Sequence, residues 1–201
     1  SSDIFGNDDI NGEPLVTLDL AQENPEAILV DNKIFLSFKV EESPNENLYF
    51  QFLNKQTLGQ IGSAIAISDP ATSKQGFAMT YGNDGFIYYA FSEEYDITIK
   101  KISSTGTEEW SIPAVQIAGD DIIRSIYPLP NTGCMIIYES QSWQTGSQLH
   151  ALEMDGEGNP QNGGSILLSN LGGDQYFESS TMVNDGMFIS FKTNTSGNYD
   201  I

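Results

Sequence analysis

The sequence repeats one pattern about every 50 residues, and this period constrains the fold more than any other feature. In each repeat a short turn rich in Asn, Asp or Gly leads into an apolar run. The runs lie at 32–38, 84–90, 132–138 and 185–191. Their second residues, Lys33, Gly85, Gly133 and Gly186, are 52, 48 and 53 residues apart. A second match at this period is Glu94-Tyr95-Asp96-Ile97, which recurs as Asn198-Tyr199-Asp200-Ile201.

Each repeat contains four short segments with the composition of β-strands. The first segments are 26–30, 77–81, 124–129 and 178–183, and the apolar runs follow them after turns that supply the positive φ of tight hairpins. No sustained helical spacing of apolar residues occurs. Repeats of this length with four antiparallel strands predict an all-β fold, a β-propeller, whose blades bury their faces against neighbouring blades. The alternative is a β-sandwich of about 16 strands, which gives no reason for a period of about 50 residues.

The repeats divide the chain into blades. We predict one β-propeller region over residues 1–201, with a partial blade at 1–18, blades at about 19–68, 69–118 and 119–169, and a partial blade at 170–201. This division predicts a fragment of a larger propeller. Because open blade edges pair with other chains, we expect further blades or a large partner complex to stabilise it.

The charge balance excludes several classes of partner. The chain has 8 Lys and Arg residues against 28 Asp and Glu residues, for a net charge of −20. Nucleic acids and anionic membrane surfaces require basic patches that so few cations do not provide. No apolar run approaches the length of about 20 residues that a membrane-spanning helix needs, so we expect no membrane insertion.

Acidic residues are predicted to gather at one end of the blades, where the connectors between blades and the loops between second and third strands lie. These acids are Glu23, Glu41, Glu42, Glu46, Asp69, Glu93, Glu94, Asp120, Asp121 and Asp174. Glycoside hydrolysis uses two carboxylates about 5 to 9.5 Å apart. We expect these acids to lie mostly on loops, without apolar neighbours that raise a pKa. This distribution favours a solvated surface over a catalytic pocket.

Seven residues are the best candidates for a partner or ligand surface: Trp143, Tyr176, Asp120, Asp121, Asp174, Glu93 and Glu94. Trp143 is the aromatic residue expected on a polar loop, where it either stacks on a sugar face or folds back over the blade edge. Tyr176 is either exposed or fills the central channel. The partners they suggest are a protein or a glycan.

No catalytic residue, metal site or cofactor is expected. Two oxygen-rich stretches, 7–13 and 155–159, leave calcium open, but neither matches an EF-hand loop. The single histidine, His150, has no partner motif for catalysis, and the single cysteine, Cys134, opens an apolar strand, where it is expected to act as a small hydrophobic residue.

The repeats resemble those of secreted and surface-exposed bacterial propeller proteins, particularly of Bacteroidota. Three motifs carry the resemblance: Asn198-Tyr199-Asp200-Ile201, Asp155-Gly156-Glu157-Gly158-Asn159 and Thr107-Glu108-Glu109-Trp110. The resemblance implies a secreted or cell-surface protein, and many such proteins are cargo of the type IX secretion system. We therefore expect a non-enzymatic extracellular module that presents a surface to protein or glycan partners. The alternative is a glycan-cleaving or lectin-like propeller that uses loop carboxylates and Trp143.

Overall fold

The fold of the chain consists of antiparallel sheets that follow one another along the sequence. The computed structural model describes residues 15–16, 18, 20–42, 45–116, 119–142, 145–169, 171–183 and 186–194. The strands are β1 (Gln22–Val30), β2 (Lys33–Glu42), β3 (Asn45–Asn54), β4 (Gln60–Ala66), β5 (Lys74–Tyr81), β6 (Phe86–Glu93), β7 (Asp96–Ser103), β8 (Glu108–Val115), β9 (Asp120–Pro128), β10 (Cys134–Ser142), β11 (Gly146–Met154), β12 (Ile166–Leu167), β13 (Asp174–Val183) and β14 (Gly186–Asn194). No helix in this part of the chain has the length and apolar character to cross a membrane.

The sheets are simple meanders. Three have four strands, in the orders β1-β2-β3-β4, β5-β6-β7-β8 and β9-β10-β11-β12, and the fourth pairs β13 with β14. The chain forms two compact units, Ser1–Lys74 and Gln75–Ile201. The predicted all-β fold of four-stranded blades is confirmed, and we call β1, β5, β9 and β13 the inner strands.

The turns between the inner strand and the next strand have the backbone conformation that their residues predict. Asp31 has a φ of 53°, Gly85 a φ of 79° and Gly133 a φ of 95°. Each lies in the left-handed region, which Gly, Asn and Asp tolerate best. The fourth turn, at residues 184–185, lies outside the described residues.

The core lies between sheets. In the second unit, Tyr88 and Ile99 of one sheet pack with Ile123 and Ile136 of the next, and all four are almost fully buried. A second cluster joins the third and fourth sheets, with Ile137 at its centre. Burial between consecutive sheets is the arrangement that makes each blade depend on its neighbour.

Three inner strands carry a β-bulge. In β1, Asn24 and Pro25 interrupt the pairing with β2. In β9 and β13, the extra residues are Arg124 and Glu178. A bulge bends the strand and redirects its hydrogen-bonding groups.

The bulges direct backbone N–H groups toward the preceding sheet. Ile123 donates its N–H to Ser92 Oγ at 2.7 Å, and Phe177 donates its N–H to a carboxylate oxygen of Glu139. Ile123 lies opposite Tyr138, and Phe177 lies opposite Phe191. Tyr138 and Phe191 occupy equivalent positions in the repeat. The same backbone position therefore ties successive sheets of the second unit together.

Removing the hydroxyl of Ser92 is expected to leave the buried N–H of Ile123 without its acceptor. Ser92→Ala should lower the free energy of unfolding by about 1–3 kcal/mol, measured by urea denaturation. Ser111→Ala, on the exposed side of β8, is the control and should change it little. Equal effects of the two substitutions would contradict this role of Ser92.

Buried polar side chains at the starts of inner strands hold the connectors that precede them. Gln22 donates to Leu18 O at 3.5 Å, Lys74 to Asp69 O at 2.6 Å, and Gln175 to Leu171 O at 2.8 Å. We call Gln22, Lys74 and Gln175 the connector clamps. Each is at least 95% buried, so its hydrogen bonds are shielded from water.

Candidate functional site

The acidic residues expected on loops lie mostly within strands. Of the ten acids, only Asp69 and Glu94 fall outside the strand bounds. The others lie at strand ends, because the strands extend further toward this end of the sheets than the apolar runs indicate. The interpretation that these carboxylates are loop charges is therefore wrong. Four of the ten acids lie on inner strands, namely Glu23, Asp120, Asp121 and Asp174.

Glu23 and Glu26 lie on the same face of β1. Glu23 is opposite Lys39 and Glu26 is opposite Ser37, and these two partners are two residues apart on β2. Directly opposite residues share a face, as do residues two apart. In a regular strand, residues three apart would face opposite sides, so the bulge brings the two glutamates to one side. Their Cα atoms are then about 7 Å apart.

The bulge between the two glutamates has a strained backbone. Asn24 has a φ of 49°, in the left-handed region, and Pro25 follows it. Strained backbone and bulges are both concentrated next to active sites, where they direct a side chain. The bulge is therefore the structural reason that Glu23 and Glu26 form a pair.

The two glutamates are accessible to solvent, and Glu26 has a perturbed acidity. The protein around Glu26 excludes enough water to raise the pKa of its carboxyl. A raised pKa keeps a carboxyl protonated closer to neutral pH, which is what a proton donor needs.

The candidate residues of the second unit have different environments. Glu94 is exposed, and Glu93, Asp120, Asp174 and Tyr176 are half-buried. Asp121 is fully buried, so it is not available at an open surface. Trp143 lies outside the described residues.

Asp174 and Tyr176 interact with one another. The Tyr176 hydroxyl donates to Asp174 Oδ2 at 3.4 Å, and Asp174 Oδ1 accepts the N–H of Ser147 at 3.1 Å. Ser147 in turn donates its hydroxyl to Gln175 O at 2.8 Å. These contacts hold the end of the β10–β11 hairpin against β13, so Asp174 has a structural role there.

An exposed aromatic residue that the sequence analysis did not single out lies on the β6–β7 turn. Tyr95 is 62% exposed. Its carbonyl oxygen accepts the N–H of Asp121 at 3.0 Å. The available signal was the recurrence of Glu94-Tyr95-Asp96-Ile97 at 198–201, which we used only to define the period.

In the oxygen-rich turn at 155–159, the carboxylate of Asp155 accepts hydrogen bonds from backbone N–H groups of the turn itself. Asp155 Oδ1 accepts the N–H groups of Asn159 at 2.8 Å and Glu157 at 3.0 Å, and these backbone hydrogen bonds lower the pKa of Asp155. Across the described residues, no three His, Cys, Asp or Glu side chains are grouped to hold a metal ion. The stretch 7–13 lies outside them, and calcium there stays an open expectation.

The single cysteine and histidine lie in packed environments. Burial, followed by the negative charge of Asp84, raises the pKa of the Cys134 thiol to about 12, which makes a thiolate nucleophile unfavourable. His150 stacks on Tyr138 with ring centroids 5.3 Å apart, and burial lowers its pKa. Both environments fit packing roles.

Comparison with known proteins gives structural matches alone. No protein-family model matches the chain, and no curated protein sequence matches it.

The similar solved structures are glycoside hydrolases. An endo-arabinase from Bacteroides thetaiotaomicron has a TM-score of 0.59 at 12% identity, with 92% of this chain and 76% of that chain covered. A family 43 endo-arabinanase from Bacillus licheniformis has a TM-score of 0.50 at 12% identity, over 88% and 75%. A thermostable family 43 glycoside hydrolase has a TM-score of 0.52 at 16% identity, over 87% and 66%. At these identities the likeness establishes the propeller fold.

These comparisons contradict the expectation of a non-enzymatic module. The three solved structures compared above are glycoside hydrolases, which favours the alternative interpretation of the sequence, a glycan-cleaving propeller. The physical reason for the error is the assignment of the acids to loops. Glu23 in fact lies within β1, on the same face as Glu26, a pairing that the sequence does not reveal.

Proposed function

We propose that this propeller hydrolyses glycosidic bonds in polysaccharides, with Glu26 as proton donor and Glu23 as the second carboxylate. The observation that carries the proposal is the placement of both glutamates on one face of an inner strand, on either side of a bulge. The raised pKa of Glu26 supports its role as the acid, and the fold shared with glycoside hydrolases supports the reaction class.

The two carboxyl groups have complementary tasks. Protonated Glu26 gives its proton to the glycosidic oxygen as the bond from that oxygen to the anomeric carbon breaks. Ionised Glu23 either takes a proton from the attacking water or attacks the anomeric carbon itself. A Cα separation of about 7 Å and flexible glutamate side chains fit both the retaining and the inverting geometry. In either case one water is consumed and both carboxyl groups return to their starting states.

The charge of the chain indicates which polysaccharides it accepts. A net charge of −20 repels polyanionic chains such as polygalacturonate. We therefore propose a neutral polysaccharide as substrate. Because such polymers lie outside cells, we also propose a secreted or cell-surface location. Export by the type IX system and a stabilising protein partner stay predictions.

The proposal is tested by incubating the purified 201-residue chain with soluble arabinan, galactan, xylan and polygalacturonate and measuring new reducing ends. Glu26→Gln and Glu23→Gln should each lower turnover of the best neutral substrate by about 100-fold or more. Glu109→Gln, on the exposed outer strand β8, is the matched control and should leave it unchanged. Azide should restore cleavage of the polysaccharide by Glu23→Ala, with a glycosyl azide as the product, because azide attacks the anomeric carbon in place of the missing carboxylate or the water it would activate.

The pH dependence gives a second measurement of the same roles. Turnover should fall at high pH as Glu26 loses its proton, and its raised pKa should move this fall toward neutral pH. The glutamine at position 26 has no proton to lose, so Glu26→Gln should abolish the fall at high pH. A folded wild-type chain without turnover on any neutral polysaccharide, or turnover that neither substitution changes, would refute the proposal.

Glycan binding without cleavage is the second candidate function. It is favoured by the exposed ring of Tyr95, which has the character of a sugar-binding surface. Binding of a neutral polysaccharide without release of reducing ends would select this candidate.

A further inference from the structure

We propose that Tyr95 is the stacking platform for one sugar residue of a neutral glycan, at a binding subsite on the β6–β7 turn. This inference rests on the proposed function, since that function makes a glycan the ligand. Packing does not account for the residue, because 62% of it is exposed. A similar four-residue pattern, with Tyr199 in the place of Tyr95, recurs two periods later in the sequence.

The turn holds the ring in a defined position. Glu93 and Asp96 pair across the hairpin, which leaves only Glu94 and Tyr95 in the loop. Glu94 has a φ of 57°, a conformation that favours glycine. The carbonyl of Tyr95 also accepts the N–H of Asp121 at 3.0 Å, which anchors the turn to the start of β9. A short anchored loop loses little conformational entropy when it binds a ligand.

The surroundings of the ring fit a neutral sugar. The apolar C–H face of a sugar packs on an aromatic face, and tyrosine offers a rigid amphipathic surface with only two side-chain torsions. Sugar hydroxyls need acceptors around that face. The turn supplies the exposed carboxylate of Glu94 and that of Asp96, whose Oδ2 also accepts Gln116 Nε2 at 3.3 Å. A phosphorylated or sulfated ligand would be repelled by the acids of this turn.

The experiment measures binding of arabinan, galactan and xylan to the 201-residue chain by affinity electrophoresis and calorimetry. On the polysaccharide that the wild type binds, Tyr95→Ala should weaken affinity by about 10-fold, and Tyr95→Phe should keep it within about twofold. Phe188→Ala, which removes a 69% exposed ring on β14, is the matched control and should bind as the wild type does.

The outcomes separate this inference from the proposed function. Wild-type binding that Tyr95→Ala leaves unchanged would overturn the subsite alone. An equal loss in Tyr95→Phe would overturn stacking, because the hydroxyl would then be the binding group. A wild type that neither binds nor cleaves any of the three glycans overturns both proposals. Urea unfolding checks each variant, and Tyr95→Leu replaces Tyr95→Ala if the latter is destabilised.

Discussion

Gly133→Ala is expected to destabilise the second unit by about 3 kcal/mol or more. A Cβ atom at this position would overlap the carbonyl oxygen of Met154 and lie 2.7 Å from the carbonyl carbon of Asp155. Both obstacles are backbone atoms, which cannot rotate away. The φ of 95° adds a cost of its own for any residue with a Cβ. The N–H of Gly133 also donates to the Tyr88 hydroxyl at 3.0 Å, so the turn cannot move without breaking a buried contact between two sheets.

Two other glycines separate the contributions to this loss. Gly163 has a φ of 84° and no atom within 4 Å of its Cβ position, so Gly163→Ala measures the backbone cost alone, about 1 kcal/mol. Gly172 has neither a positive φ nor an atom within 4 Å of its Cβ position. Gly172→Ala should therefore change the free energy of unfolding little. Urea unfolding followed by circular dichroism measures all three. A Gly133→Ala midpoint no lower than that of Gly163→Ala would show that the turn relaxes and would contradict the prediction.

Lys101→Met is expected to cost about 3–5 kcal/mol, because it leaves a buried carboxylate without its cation. Lys101 Nζ lies 3.0 Å from Asp84 Oδ2 and donates to Gly156 O at 2.9 Å, and both side chains are close to 90% buried. The control is Lys100→Met. Lys100 pairs with Glu108 at 2.7 Å, but the Glu108 side chain is 47% exposed, so we expect a loss below about 1 kcal/mol. Similar losses at the two lysines would contradict the argument from burial.

The ion pair of Lys101 with Asp84 also predicts that the stability of the protein depends on pH. Burial acts to raise the pKa of Asp84, but hydrogen bonds from Tyr88 and Lys101 and the charge of Lys101 outweigh it, and the pKa is lowered. A lowered pKa means that the stabilisation is present above the unfolded value of about 3.9 and is lost as the pH falls through the folded value. Lys101→Met removes the hydrogen bond and the charge by which Lys101 lowers the pKa of Asp84, so this loss of stability in acid should become smaller. Urea midpoints measured from pH 3 to pH 7 test this, and unchanged acid sensitivity in Lys101→Met would contradict it.

The fold class could be predicted because the turns and the apolar strands repeat. Asp31, Gly85 and Gly133 mark the turns by their tolerance of positive φ, and the strands that follow them are largely buried. The strand starts were harder to predict. The first inner strand begins at Gln22, whereas the sequence pattern indicates Glu26, because Pro25 interrupts the alternation of apolar residues.

The candidate site could not be predicted from the sequence because it depends on the register of a bulge. Residues three apart such as Glu23 and Glu26 face opposite sides in any regular strand, and only the pairing with β2 shows that they share a face. The available signal was Pro25, since proline within a sheet is confined to edges, strand starts and bulges. Asp121 illustrates the opposite error. Its polarity indicated a surface, but its side chain is fully buried.

The connector clamps have a consequence for how this protein can change. Gln22, Lys74 and Gln175 each fasten the loop that comes just before them in the chain. The loop and its fastening residue are therefore inherited together as one contiguous stretch of gene. Recombination that exchanges such a stretch brings in a new loop already anchored to its own strand. These loops can thus diversify rapidly while the sheets beneath them are preserved.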